Sequence, residues 1–68
     1  MNAYLNGQPC ELAEGATLAT ALVQLDVNQS TLGVAAAVNG EVVPAARWGS
    51  YLLSEGARIE VVRAIQGG

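Results

Sequence analysis

Few side chains in this sequence can do chemistry, and the group best suited to it is not a side chain. The sequence runs Ala64-Ile65-Gln66-Gly67-Gly68 and stops. A glycine pair has no Cβ atoms, so it can be drawn extended through a channel too narrow for other residues. It can thereby set a terminal carboxylate beside a reacting phosphate or carbonyl. With an ordinary pKa of about 3.3 to 3.7, an α-carboxyl is an anion at neutral pH and acts as an oxygen nucleophile without a general base. Such a group can attack the α-phosphate of ATP, and the resulting acyl adenylate is open to a sulfur donor or an amine. Taken alone, a Gly-Gly end also reads as a frayed terminus. What precedes it decides between the two.

The other candidates carry less. Cys10 is the only cysteine and has no nearby lysine, arginine or histidine in sequence to favour its thiolate, so a packed or half-exposed thiol is expected. Glu11 and Glu14 form a carboxylate pair with no sign of a cleft, which reads as a solvated turn. Trp48 is of a type enriched at binding hot spots, but covering one end of a small core is the expected role. Arg63 reads as a solvated surface arginine. Val62 and Ala64 fall on the outward parity of the last strand, where an enzyme gripping Gln66-Gly67-Gly68 would have to touch, and are expected to form an apolar docking patch. With no histidine and no lysine, the usual general bases are missing. No side chain is assigned catalysis, and the chain reads as a protein cosubstrate and not as an enzyme.

Composition narrows the partners. A chain of 68 residues is one domain with no room for an enclosed substrate cavity. One thiol and no histidine leave neither an intrachain disulfide nor a metal ligand set, so no bound cofactor is expected. Three arginines against six acids give a net charge of -3. Nucleic-acid binding needs a basic stripe, and polybasic membrane attachment needs the same, so neither partner is expected. No apolar segment approaches spanning length and Met1 to Leu5 does not read as a leader, which makes a cytoplasmic protein the expectation.

The elements that must position the tail are legible in the spacing. Met1, Ala3 and Leu5 alternate, Asn6-Gly7 calls for a hairpin turn, and Gln8 to Leu12 forms the return strand. Pro9 places that strand at a sheet edge. After Glu14-Gly15, Leu18, Ala21, Leu22 and Leu25 recur at helical spacing, with Thr17 as N-cap and a loop from Asp26 to Gly33. Val34 to Val38 and Glu41 to Val43 flank Asn39-Gly40 as a second hairpin that Pro44 ends. Ala45 to Ser50 is a turn or helical bend pinned by Trp48. After the turn at Ser54-Glu55-Gly56, Arg58 to Arg63 is the last strand, Ile59 and Val61 facing one side. This order predicts an α+β fold of the β-grasp (ubiquitin-like) kind: a mixed sheet of about five strands with one helix across it. The domain is expected over residues 1–63, and 64–68 as a flexible tail.

On such a body the Gly-Gly end reads as a presented carboxylate. The sequence Val38-Asn39-Gly40-Glu41-Val42-Val43-Pro44, then Arg47-Trp48, then Ile59-Glu60-Val61-Val62-Arg63 leading to Gln66-Gly67-Gly68, resembles the ThiS family in spacing and length over essentially the whole chain. Members of that family are ubiquitin-like carriers that hold sulfur as a C-terminal thiocarboxylate for thiazole formation in thiamine biosynthesis. The resemblance implies that an E1-like adenylating enzyme of the ThiF or MoeB type uses ATP to activate Gly68. It further implies that sulfur from a donor such as a cysteine desulfurase replaces AMP, and that a thiazole synthase of the ThiG type receives it. Gln66 and Gly67 would thread into the partner. One departure is Ala57, where the family commonly has aspartate, and a looser entry to the last strand is the expected consequence. The alternatives are the small subunit of molybdopterin synthase, which is usually longer and differs in its last strand, and a ubiquitin-like protein modifier.

Overall fold

The computed structural model describes residues 1–63. Strands β1 (Asn2–Leu5) and β2 (Gln8–Glu11) form the first hairpin, helix α1 (Leu18–Leu22) follows, and β3 (Val34–Val38) and β4 (Glu41–Val43) form the second hairpin. Strand β5 (Ala57–Arg63) closes the sheet. Both hairpins turn through Asn-Gly. Asn6 and Asn39 each have φ near 51°, and Gly7 and Gly40 lie at 81° and 86°. Positive φ at both central residues is the turn whose twist matches paired strands.

The five strands lie in the order β2-β1-β5-β3-β4. The longest strand, β5, is therefore central, parallel to β1 through Ala3–Ala57 and Leu5–Ile59, and antiparallel to β3 through Val38–Ile59 to Val34–Arg63. This is the mixed β-grasp sheet expected from the order of elements. Pro9 lies in β2, an edge strand, so its missing N–H interrupts no internal ladder.

One face of the sheet carries Ala3, Leu5, Ala36, Val38, Val43, Ala57 and Ile59, all buried. Leu18, Ala21 and Leu22 of α1 pack into the same core. Thr17 caps the helix as expected, its hydroxyl accepting from the Thr20 N–H at 3.3 Å. The helix is shorter than the apolar spacing suggests. It tightens into a 3₁₀ turn over Val23–Leu25, and the last member of the stripe, Leu25, is half-buried. Asp26 then adopts a left-handed conformation at φ 58° and ends it.

Trp48 closes one end of the core at 2 % exposure. It follows a 3₁₀ turn over Ala45–Arg47, and its indole Nε1–H donates to the Val43 carbonyl at 2.8 Å. The buried indole thus has its polar partner, as an interior tryptophan requires. The loosened entry expected at Ala57 does not occur. Ala57 is buried and donates to the Ser54 carbonyl at 3.0 Å, while the Gly56 N–H donates to the Asn2 carbonyl at 2.7 Å. The Glu55 carboxylate accepts from the Asn2 N–H at 3.0 Å.

Candidate functional site

Everything that positions the tail converges on β5. Its main chain is held from both flanks by the two turn asparagines. On the β1 side the parallel ladder stops at Leu5–Ile59, where the chain turns away. Asn6 extends the pairing one step further: its N–H donates to the Ile59 carbonyl at 2.8 Å, and its Oδ1 accepts from the Val61 N–H at 2.8 Å. On the β3 side Asn39 does the same at the other end of the strand. Its N–H donates to the Arg58 carbonyl at 2.8 Å, and its Oδ1 accepts from the Arg58 N–H at 3.0 Å. The sequence identifies both asparagines as turn residues only. Their second role depends on which strand lies beside each turn, and sheet order alone reveals that.

The strand ends at Arg63. Ala64, Gln66, Gly67 and Gly68 lie outside the described residues, so the docking, threading and carboxylate roles expected of them rest on the sequence. Val62 is described and is where parity puts it, on the face away from the helix and 64 % exposed. Its partner across β3 is Ala35, and the next pair along is Glu60 with Ala37. Ala37 in turn pairs with Val42 of β4, which is 73 % exposed. Two small alanines between two raised valines make a shallow apolar strip beside the end of β5.

The same open face is polar at its other side. Tyr4 and Arg58 are register partners, and with Asn6, Gly7, Ile59 and Glu60 they line a shallow concavity. The open face is thus amphipathic: an apolar strip at the C-terminal end of β5 with Glu60 on its border, and Tyr4 and Arg58 on the far side.

Arg63 is exposed, as expected of a surface arginine, but it also makes a contact that the sequence does not suggest. Its Nη2 donates to the Leu25 carbonyl at 3.0 Å, because position 63 shares the parity of Ala57, Ile59 and Val61 and so points to the helix side. Cys10 is half-buried on the core side of β2, opposite Ala3. Glu11 and Glu14 are exposed, and Glu14 lies 3.6 Å from the Met1 nitrogen. Among the described residues no three of His, Cys, Asp or Glu gather as a metal site, and no buried side-chain nitrogen or oxygen lacks a hydrogen-bond partner. A second concavity lies on the helix side, lined by Ala19, Val23, Val27, Asn28, Trp48 and Gly49 among others. No helix among the described residues is long and apolar enough to cross a membrane.

Comparison with known proteins agrees with that geometry. The model of the ThiS family matches residues 3–68. The sulfur carrier protein ThiS of Escherichia coli (strain K12) is 34 % identical over 68 residues, covering 100 % of both chains. Among solved structures, the crystal structure of the thiamine biosynthesis protein ThiS from Geobacter metallireducens superposes with a TM-score of 0.78 at 28 % identity, covering 100 % of each chain. The solution structure of a thiamine biosynthesis protein from the same organism gives 0.75 at 28 % identity, over 100 % of this chain and 88 % of that one.

Proposed function

The chain belongs to the ThiS family, and on that premise we propose that it is a sulfur carrier of thiamine biosynthesis whose working group is the terminal carboxylate of Gly68. The observation that carries this reading is the full-length match to a sulfur carrier, in a sequence whose central strand is followed within five residues by Gly67-Gly68. Residues 64–68 can reach at most about 16 to 18 Å when extended. A partner seated against Val62 must therefore hold its reacting centre within about that distance.

The chemistry follows from the carboxylate. A Gly68 oxygen attacks the α-phosphorus of ATP in an E1-like adenylating enzyme, pyrophosphate leaves, and a mixed anhydride with AMP forms. A sulfur nucleophile then attacks the carbonyl carbon and AMP departs. If the donor is a persulfide, such as that of a cysteine desulfurase, a thiol must then reduce the acyl disulfide to release the thiocarboxylate. A thiazole synthase consumes the sulfur. Gly67 and Gln66 pass through the partner's channel, where the lack of a Cβ at Gly67 permits close approach to the nucleotide. ATP is the partner's substrate, and the carrier itself contributes no catalytic side chain.

Docking is assigned to the apolar strip of Val62, Ala35, Ala37 and Val42, and Ala64, outside the described residues, is assigned to it from sequence parity alone. Its composition suits the centre of an interface, where charge is depleted. The test is ATP–pyrophosphate exchange by the adenylating enzyme, with the wild type compared against a chain carrying one alanine after Gly68. The wild type should support exchange and the extended chain should not. Equal exchange by both would refute the assignment of the carboxylate.

A further inference from the structure

Arg63 is the exposed last residue of β5 on the side that faces the helix. It continues the row of Ala57, Ile59 and Val61 on the helix side of the sheet and pairs with Val34 across β3. Instead of adding to the core, its guanidinium spans to the far layer and donates to the Leu25 carbonyl at 3.0 Å. That carbonyl belongs to the last residue of the 3₁₀ turn closing α1. Carbonyls at a helix end have no partner within the helix, and arginine is among the side chains that satisfy them. Two earlier carbonyls of the same turn already have partners: Val23 accepts from the Asp26 N–H at 3.0 Å, and Leu22 from the Val27 N–H at 3.1 Å. The contact thus ties two elements 38 residues apart, at the C-terminal end of β5.

The opposite edge of the strand is also held there, by the Asn6 bond to Val61. Asn6 grips the main chain from within the sheet plane, and Arg63 grips the strand end from the helix layer. We propose that Arg63 is a positioning residue for the tail reaction: its bond to the Leu25 carbonyl fixes the end of β5 against α1, and so fixes where residues 64–68 begin relative to the docked body. This inference rests on the carrier reading above. A partner that recognises the open face sets the body's orientation. The launch point of the tail then decides how often the Gly68 carboxylate meets the α-phosphate in line. Small misplacements of a reacting group are costly: about 1 Å can lower a rate by up to about a hundredfold.

The test compares wild type, Arg63→Ala and Arg63→Lys in adenylation by the E1-like enzyme, with kcat and the KM for the carrier measured separately. Arg63→Ala should lower kcat about fivefold while KM stays within about twofold, because the docking strip is intact. Arg63→Lys, which keeps a cationic donor, should recover part of the loss. In the isolated protein the Leu25 carbonyl ¹³C resonance should shift in Arg63→Ala, with the other amide resonances of the sheet largely unmoved. Unchanged kcat in Arg63→Ala overturns the proposal. A loss confined to KM also overturns it, because Arg63 would then be touching the partner directly. A loss that vanishes at a lower temperature where the variant is fully folded would make the contact merely structural, and overturns it as well. If the wild type itself is not adenylated, the carrier reading falls and takes this inference with it. An active wild type with an equally active Arg63→Ala removes the positioning role alone.

Discussion

Asn39, like Asn6, meets two demands at once. Its φ of 51° disfavours side chains with a bulky Cβ, and its Oδ1 takes the Arg58 N–H. Substitutions separate the two. Asn39→Gly keeps the turn and removes the acceptor, and should cost about 1 kcal/mol. Asn39→Ala loses both and should cost about 2 kcal/mol, because the left-handed conformation adds its own penalty. Asn39→Asp retains acceptor and turn and should stay within about 0.5 kcal/mol of wild type. Urea unfolding of the three variants checks the order, and a Gly variant less stable than the Ala variant would contradict it. At the partner-facing surface, Val62 stands 64 % exposed beside Ala35. Val62→Glu should leave folding unchanged and raise the KM for the adenylating enzyme by about tenfold, since a charge in a desolvated interface core is strongly disfavoured. An unchanged KM would remove the apolar strip as the docking site.

Among the elements, the short helix has the smallest margin. Its apolar side chains Leu18, Ala21 and Leu22 are fully buried, so Leu22→Ala should cost about 2 to 4 kcal/mol through lost burial and the cavity left behind. A domain of this size has only a few kcal/mol in hand, and thermal melting should find the variant largely unfolded at 37 °C. Trp48→Phe keeps most of the packing but leaves the Val43 carbonyl without its indole donor, and a loss of about 1 to 2 kcal/mol is expected in the same assay. These elements were readable because each has a local cause. The Asn-Gly pairs fix both hairpins, Thr17 starts the helix, and Pro44 stops β4. Helix length was less readable. The stripe of Leu18, Ala21, Leu22 and Leu25 fits a regular helix, yet the chain tightens after Leu22 and Asp26 turns it left-handed, a change that apolar spacing does not encode.

At the scale of the molecule, the expected β-grasp order of two hairpins around one helix is the observed one, with β5 at the centre of the sheet. Local patterns say which segments are strands. They do not say which strand lies beside which turn, and that is why the grip of Asn6 and Asn39 on β5 and the reach of Arg63 to Leu25 were not visible in the sequence. Val62 was visible, because period-two alternation along β5 assigns its face whatever the neighbours are. The Gly-Gly end was visible as well, although its meaning depended on the body before it. The proposed function requires the carboxylate of Gly68 to carry sulfur. The most direct measurement is the intact mass of the protein after incubation with ATP, an E1-like adenylating enzyme and a sulfur donor. A gain of about sixteen mass units, one oxygen exchanged for sulfur, located in the C-terminal peptide is the predicted result. A folded protein whose mass stays unchanged with adenylating enzymes known to be active would contradict it.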